Sequence, residues 1–192
     1  LLLLNGLTRP LESWEPFIGA VNGRQVISVD APGVGASPAP RLPVPVTLLA
    51  RLAVAVLDEV GVARADVLGF SHGGAVAQQL AADAPGRVRC LVLVSTSCGV
   101  GAEAGRVSLR RLLASPGSDA SWPRPDVLGT VWHALAVSGW SSIPFLGAIT
   151  APTLVVSGKH DQVVPPGNSR LLARRIPDSD RLTLSTCAAW SS

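Results

Sequence analysis

Val67-Leu68-Gly69-Phe70-Ser71-His72-Gly73-Gly74 carries an apolar strand through Gly-x-Ser-x-Gly into the alanine-rich stretch Ala75-Val76-Ala77-Gln78-Gln79-Leu80-Ala81-Ala82. The five-residue pattern alone is a weak signal in a chain with 19 glycines. Its position between a strand and a helix gives it weight. A serine there sits on a sharp strand-to-helix turn, with its hydroxyl exposed and small neighbours letting the backbone close in.

Short apolar runs bounded by turn residues alternate with helical patterns on either side of this turn. Strands are expected at about residues 1–4, 25–29, 65–70, 90–95, 153–157 and 181–184. Helices are expected at about 47–60, closed by Gly61, at 74–84, ended by Pro85-Gly86, and at 168–176, stopped by Pro177. Apolar strands of this length suit a parallel sheet covered on both faces. The alternation predicts an α/β doubly wound, mostly parallel sheet.

Residues 96–149 break the rhythm with Ser115-Pro116-Gly117-Ser118, Trp122-Pro123-Arg124-Pro125 and three of the five tryptophans, Trp122, Trp132 and Trp140. They read as a short cap inserted between two parts of one core, residues 1–95 and 150–192. A cap over the carboxyl edge of the sheet would lie where such folds bind ligands, its indoles forming either an apolar substrate wall or the cap's own small core.

Composition narrows the function classes. At 192 residues and 47% hydrophobic the chain is one domain with an aliphatic core, since aromatics are 4% and tyrosine is absent. The net charge is +3, but Arg110-Arg111 and Arg174-Arg175 are the only basic pairs, which reads as solvated helix faces, not a nucleic-acid footprint. No apolar run approaches a membrane span. Cys90, Cys98 and Cys187 are odd in number and lack metal spacing, which fits reduced thiols in a cytoplasmic protein. The chain has no methionine and opens on a strand, so it is expected to begin inside a longer polypeptide. No ligand cluster or dinucleotide fingerprint implies a metal or organic cofactor. The oligomeric state is left open.

Three further segments fall where a serine hydrolase fold would use them. Asn5-Gly6-Leu7-Thr8 follows the first strand, where the N–H of Leu7 can point at a developing oxyanion, with the N–H of His72 as second donor. Asp30-Ala31-Pro32-Gly33-Val34-Gly35-Ala36-Ser37 reads as a tightly packed turn; as a phosphate loop it would lack the lysine and the following helix. Asp161, in Gly158-Lys159-His160-Asp161-Gln162, lies past a strand end, where an acid could hold an imidazole in its working tautomer.

These segments together resemble the α/β-hydrolase superfamily along nearly the whole chain. Within it, the chain is most similar to the intracellular poly(3-hydroxyalkanoate) depolymerases of the medium-chain-length type. The residues carrying this narrower resemblance are 1–8, Trp14-Glu15-Pro16-Phe17, 32–40, Gly139-Trp140-Ser141-Ser142 and 171–177. The resemblance implies Ser71 as nucleophile, Asp161 as triad acid, Leu7 and His72 as oxyanion donors, and Trp140 against the substrate. The substrate would be an apolar ester, a small molecule or a hydroxyalkanoate oligomer.

Two departures bear on activity. The cap is shorter than the family's, so chain-length preference does not transfer. The family's last strand leads into Gly-His, whereas residues 181–184 here lead into Ser185-Thr186-Cys187-Ala188-Ala189-Trp190-Ser191-Ser192. His72, His133 and His160 all precede Asp161, so the chain shows no triad base, and the fold is expected to be incomplete at both ends. His72 leaves the turn away from Ser71, His160 adjoins the acid, and His133 reads as a surface or cap histidine. A catalytically silent binding protein and a gene remnant are the rival readings.

The ending has a coding explanation. Ala189-Trp190-Ser191 can be written GCN-TGG-TCN, and one base later GGT-CNT gives Gly-His where the serine codon is TCA. Sequencing the coding DNA is expected to show Gly-His in that frame; any other codon there removes the explanation.

Overall fold

A computed structural model describes residues 1–101, 103 and 126–185. Trp122, Arg110, Arg111 and Cys187, singled out above, lie outside the described residues, as does the segment in which Gly-His was expected.

Six parallel strands form one sheet in the order β2-β1-β3-β4-β5-β6. They are β1 (Leu2–Leu4), β2 (Ile27–Ser28), β3 (Ala65–Phe70), β4 (Val88–Val94), β5 (Thr153–Gly158) and β6 (Ser179–Leu184). Helices α1 (Glu15–Ala20), α2 (Val46–Glu59), α3 (His72–Asp83), α4 (Val127–Ser138) and α5 (Pro166–Arg175) lie between them. All six expected strands are present, although β2 is two residues long and β4 and β6 each start two residues early. The fold is the expected α/β doubly wound sheet.

Register explains which residues form the core. Leu2, Val67, Leu91 and Thr153 make one row across four strands; Leu4, Gly69, Leu93 and Val155 make the next. Both rows point to one face. There they meet Leu49, Ala53 and Leu57 of α2, Leu80 of α3 and Leu172 of α5 in a single core cluster. Helix α2 buries Val46, Leu49, Ala50, Ala53 and Leu57, the spacing of one helical face.

The opposite face departs from expectation. Leu3 is fully buried at the β1 side, but Leu154 is 37% and Leu182 46% exposed on β5 and β6. The described residues cover this second face at the β1 end of the sheet only.

Gly69 and Gly73 set how closely α3 lies on the sheet. A Cβ on Gly69 would stand 2.5 Å from the Gly73 carbonyl oxygen and 2.8 Å from the Ala77 Cβ, and one on Gly73 would strike the Leu4 carbonyl. Gly73→Ala is expected to overpack this contact and destabilise the fold by about 3 kcal/mol, lowering Tm by about 6–12 °C. A thermal melt unchanged by the substitution would mean that β1 and α3 do not meet as described.

Candidate functional site

Strand β3 ends and α3 begins within one residue, and that residue is Ser71. Its backbone has φ 51° and ψ −115°, a left-handed conformation that non-glycine residues rarely take. The turn is held from three sides. The Ser71 N–H donates to the Val94 carbonyl at 2.9 Å, its carbonyl accepts from the Gly74 N–H at 2.9 Å, and the Thr96 hydroxyl donates to that carbonyl at 2.7 Å. Ser71 lines a cavity of about 220 Å³ with Leu7, His72, Ala75, Thr96, Val137, Trp140 and Val164. His72 is the first residue of α3, so its N–H has no acceptor within the helix. The structure therefore brings Ser71, Leu7, His72 and Trp140 to one cavity.

Trp140 is anchored through its ring nitrogen, which donates to the Gln79 side-chain carbonyl at 2.8 Å. The neighbouring Gln78 is fully buried; its amide donates to the Gly74 and Ser97 carbonyls at 3.0 and 3.1 Å and it accepts from the Ser142 hydroxyl at 2.6 Å. These glutamines, which sequence reasoning missed, clamp Ser97, Trp140 and Ser142 to α3. Two adjacent amides in a helix otherwise rich in alanine were the available signal. Trp132 is tied elsewhere, donating to the Pro40 carbonyl at 2.9 Å.

Asp161 follows β5 and is only 6% exposed. One carboxylate oxygen accepts from the N–H groups of Val163 and Val164, both at 2.9 Å. The other, Oδ2, is buried without a hydrogen-bond partner. Val164, three residues on, lines the Ser71 cavity. The end of β6 lies beside this loop, because Leu184 pairs with Gly158 and accepts from the Lys159 N–H at 2.9 Å.

His133, expected as a surface or cap histidine, lies within residues 96–149 but is not at the surface. It is on α4, 4% exposed, and its ring meets that of His72 edge-on at 4.7 Å and 86°. Its Nε2 lies 2.9 Å from the Pro32 carbonyl, which can only accept, so the proton is on Nε2. Nδ1 then offers a lone pair to His72 Nε2 at 3.4 Å. Burial, reinforced by the neighbouring His133, lowers the His72 pKa to about 3, and burial lowers that of His133 against an opposing pull from the Pro32 carbonyl. Both rings are neutral at neutral pH. His160 is exposed.

The turn after β2 packs α4 in place. A Cβ on Gly33, at φ 84°, would lie 2.6 Å from Gly129 Cα. The Asp30 carboxylate fills the loop interior, accepting from the Leu11 N–H at 2.8 Å and the Ala36 N–H at 3.0 Å, so an acid occupies the space a phosphate would need. Among the described residues no group of three or more His, Cys, Asp or Glu side chains is disposed to hold a metal, and no helix is long and apolar enough to cross a membrane.

A family model described as alpha/beta hydrolase fold matches residues 1–118 and 121–192. The poly(3-hydroxyalkanoate) depolymerase of Ectopseudomonas oleovorans is 35% identical, over 93% of this chain and 74% of that protein. The 2-hydroxy-6-oxo-6-phenylhexa-2,4-dienoate hydrolase of Burkholderia cepacia is 28% identical, over 92% and 73%. Among solved structures, an enol-lactonase from Burkholderia xenovorans superposes with a TM-score of 0.83 at 24% identity, covering 96% of this chain and 82% of that one. An N-acyl homoserine lactone degrading enzyme superposes at 0.80 with 29% identity, covering 95% and 83%.

The imidazole pair makes stability depend on pH. An unfolded histidine binds its proton near 6.5, folded His72 only near about 3. The unfolded state therefore binds more protons between these values. Stability is complete above about pH 6.5 and falls as pH drops toward 3, by up to about 1.4 kcal/mol per unit for His72. Thermal melts from about pH 7 to about 4.5 are expected to show a falling Tm, and His72→Phe to flatten the slope. A wild-type Tm constant over that range would mean that the rings are not buried and neutral.

Proposed function

Because this chain belongs to the α/β-hydrolase family, we propose that its site is that of a serine-dependent carboxylic ester hydrolase for apolar esters. The observation that carries this reading is the strained backbone of Ser71 at the mouth of an apolar cavity. Strain of about 1–3 kcal/mol persists where the surroundings impose it, and here it presents a hydroxyl.

In this reading Ser71 Oγ attacks the ester carbonyl, and the Leu7 and His72 N–H groups receive the oxyanion. The alcohol leaves, an acyl-serine remains, and water releases the acid. Asp161 is the acid that would orient a base, through the buried Oδ2 its own turn leaves unused. Trp140 forms part of the substrate wall, and residues 96–149 form the cap that carries it. The substrate class is an aliphatic ester; its extension to hydroxyalkanoate oligomers rests on similarity to the Ectopseudomonas oleovorans enzyme.

One observation favours a weaker activity, grading into a binding protein that keeps the pocket. His72 and His133 are engaged with each other, and His160 is exposed beside Asp161, so none of the sequence's three histidines faces both Ser71 and the acid. In a serine protease, loss of the base costs about 10⁶ in kcat and leaves about 10³–10⁴ over water from binding and the oxyanion hole.

Labelling with a fluorophosphonate probe tests this directly. Slow labelling that Ser71→Ala abolishes, and that added imidazole accelerates, is the expected outcome. Fast labelling indifferent to imidazole would mean that a base is present after all, and labelling that survives Ser71→Ala would remove Ser71 as nucleophile.

A further inference from the structure

A second apolar space of about 390 Å³, open to solvent where Leu52 of α2 is 41% exposed, meets the Ser71 cavity at His72. It is walled by Leu49, Leu52, Ala53 and Val56 of α2, Val76 of α3 and Pro32. Its polar groups offer little to a charged ligand. Both Asp30 carboxylate oxygens are bound by backbone N–H groups, and Glu59 sits on the exposed end of α2. Asn5 also lines it, and its side-chain N–H₂ is buried without a partner.

Among the described residues His72 alone lines both spaces. Its ring is fixed by His133, and His133 in turn by the Pro32 carbonyl. His72 is thus the shared wall; His133 lines neither space but holds the His72 ring in place, and the close Gly33–Gly129 contact fixes His133's helix from the loop side. Hydrocarbon walls yield by rotamer changes. Two imidazoles whose nitrogens satisfy each other and a backbone carbonyl do not, since moving either ring strands a buried polar atom.

We propose that the His72–His133 pair is a partition that determines specificity, limiting the Ser71 cavity to short aliphatic chains and closing off a second chamber suited to longer ones. This deepens the ester-hydrolase reading and rests on it for the ligand class. A chain long enough to pass the partition would bury its methylenes against Leu49, Leu52, Val56 and Val76. An ester carbonyl further along it could accept from Asn5.

Linear methyl ketones from 2-pentanone to 2-tridecanone are unhydrolysable stand-ins for the esters, and their binding can be measured by calorimetry. For the wild-type chain, affinity is expected to rise with the first few methylenes and then level off. In His133→Ala and His72→Ala the rise should continue, by about fourfold per added methylene. His133→Phe restores a ring and should restore the plateau. Wild-type affinity that climbs through the longest ketone overturns the partition, whether or not the variants fold. So do folded alanine variants that keep the wild-type plateau. A plateau relieved in the alanine variants while Ser71 resists fluorophosphonate supports the partition and removes the hydrolase reading; Ser71-dependent labelling without a plateau does the reverse.

Discussion

The close approach of α3 to the ends of β1 and β3 is the constraint on which the site depends. Gly69 and Gly73 supply no Cβ where strand, turn and helix converge. The chain must therefore reverse within one residue, and that residue takes a positive φ although it is serine. The turn is held by the Val94 carbonyl, which accepts from the Ser71 N–H, and by the Thr96 hydroxyl, which donates to the Ser71 carbonyl. A serine side chain on such a turn has nowhere to lie except outward, into the cavity at the carboxyl edge of the sheet.

The same helix organises what covers it. Gln78, Gln79 and His72 project from α3 toward Ser97, Ser142, Trp140 and His133, and each finds a partner there. A buried amide or imidazole accepts few alternative arrangements, because any shift leaves a polar atom unpaired in a medium that cannot solvate it. Helix α4 is thus positioned by polar matching over α3 and by glycine-to-glycine contact over the β2 turn, not by a broad apolar interface. Its outer face, including Val127 and Leu135, stays exposed.

The sheet and the serine turn were legible in the sequence because both are local signals: apolar runs of strand length, and glycines at fixed offsets around Ser71. The short Ile27–Ser28 strand was overestimated, since the apolar run Val26 to Val29 has a paired neighbour on one side only and Val29 is exposed. Among the described residues Leu154 and Leu182 stay exposed on β5 and β6, since strand composition records what a sheet can bury and not what is laid on it. His133 was the largest miss. Its partner His72 lies 61 residues away, and although His72 sits inside the Gly-x-Ser-x-Gly pattern, no periodicity or spacing links the two histidines. Pairing of that kind is a property of the packed fold alone.

Asp161 bears most directly on whether the chain can turn over an ester. A carboxylate oxygen held out of water without a donor is costly, by more than a neutral group would be. Its turn spends two backbone N–H groups on one oxygen and none on the other. That asymmetry fits an acid arranged for a donor from outside its own loop. His160 is next to it in the chain but exposed, and His133 would have to abandon the Pro32 carbonyl and His72 to reach it. The end of β6 needs no such rearrangement, since Leu184 already pairs beside Gly158. A donor presented from that edge would approach Asp161 directly, whereas recruiting His72 or His133 would break the contacts each makes with the other and with Pro32. In the ester-hydrolase reading, Asp161 supplies the acid's half of a proton relay, while the His72 and His133 rings are committed to each other and to Pro32.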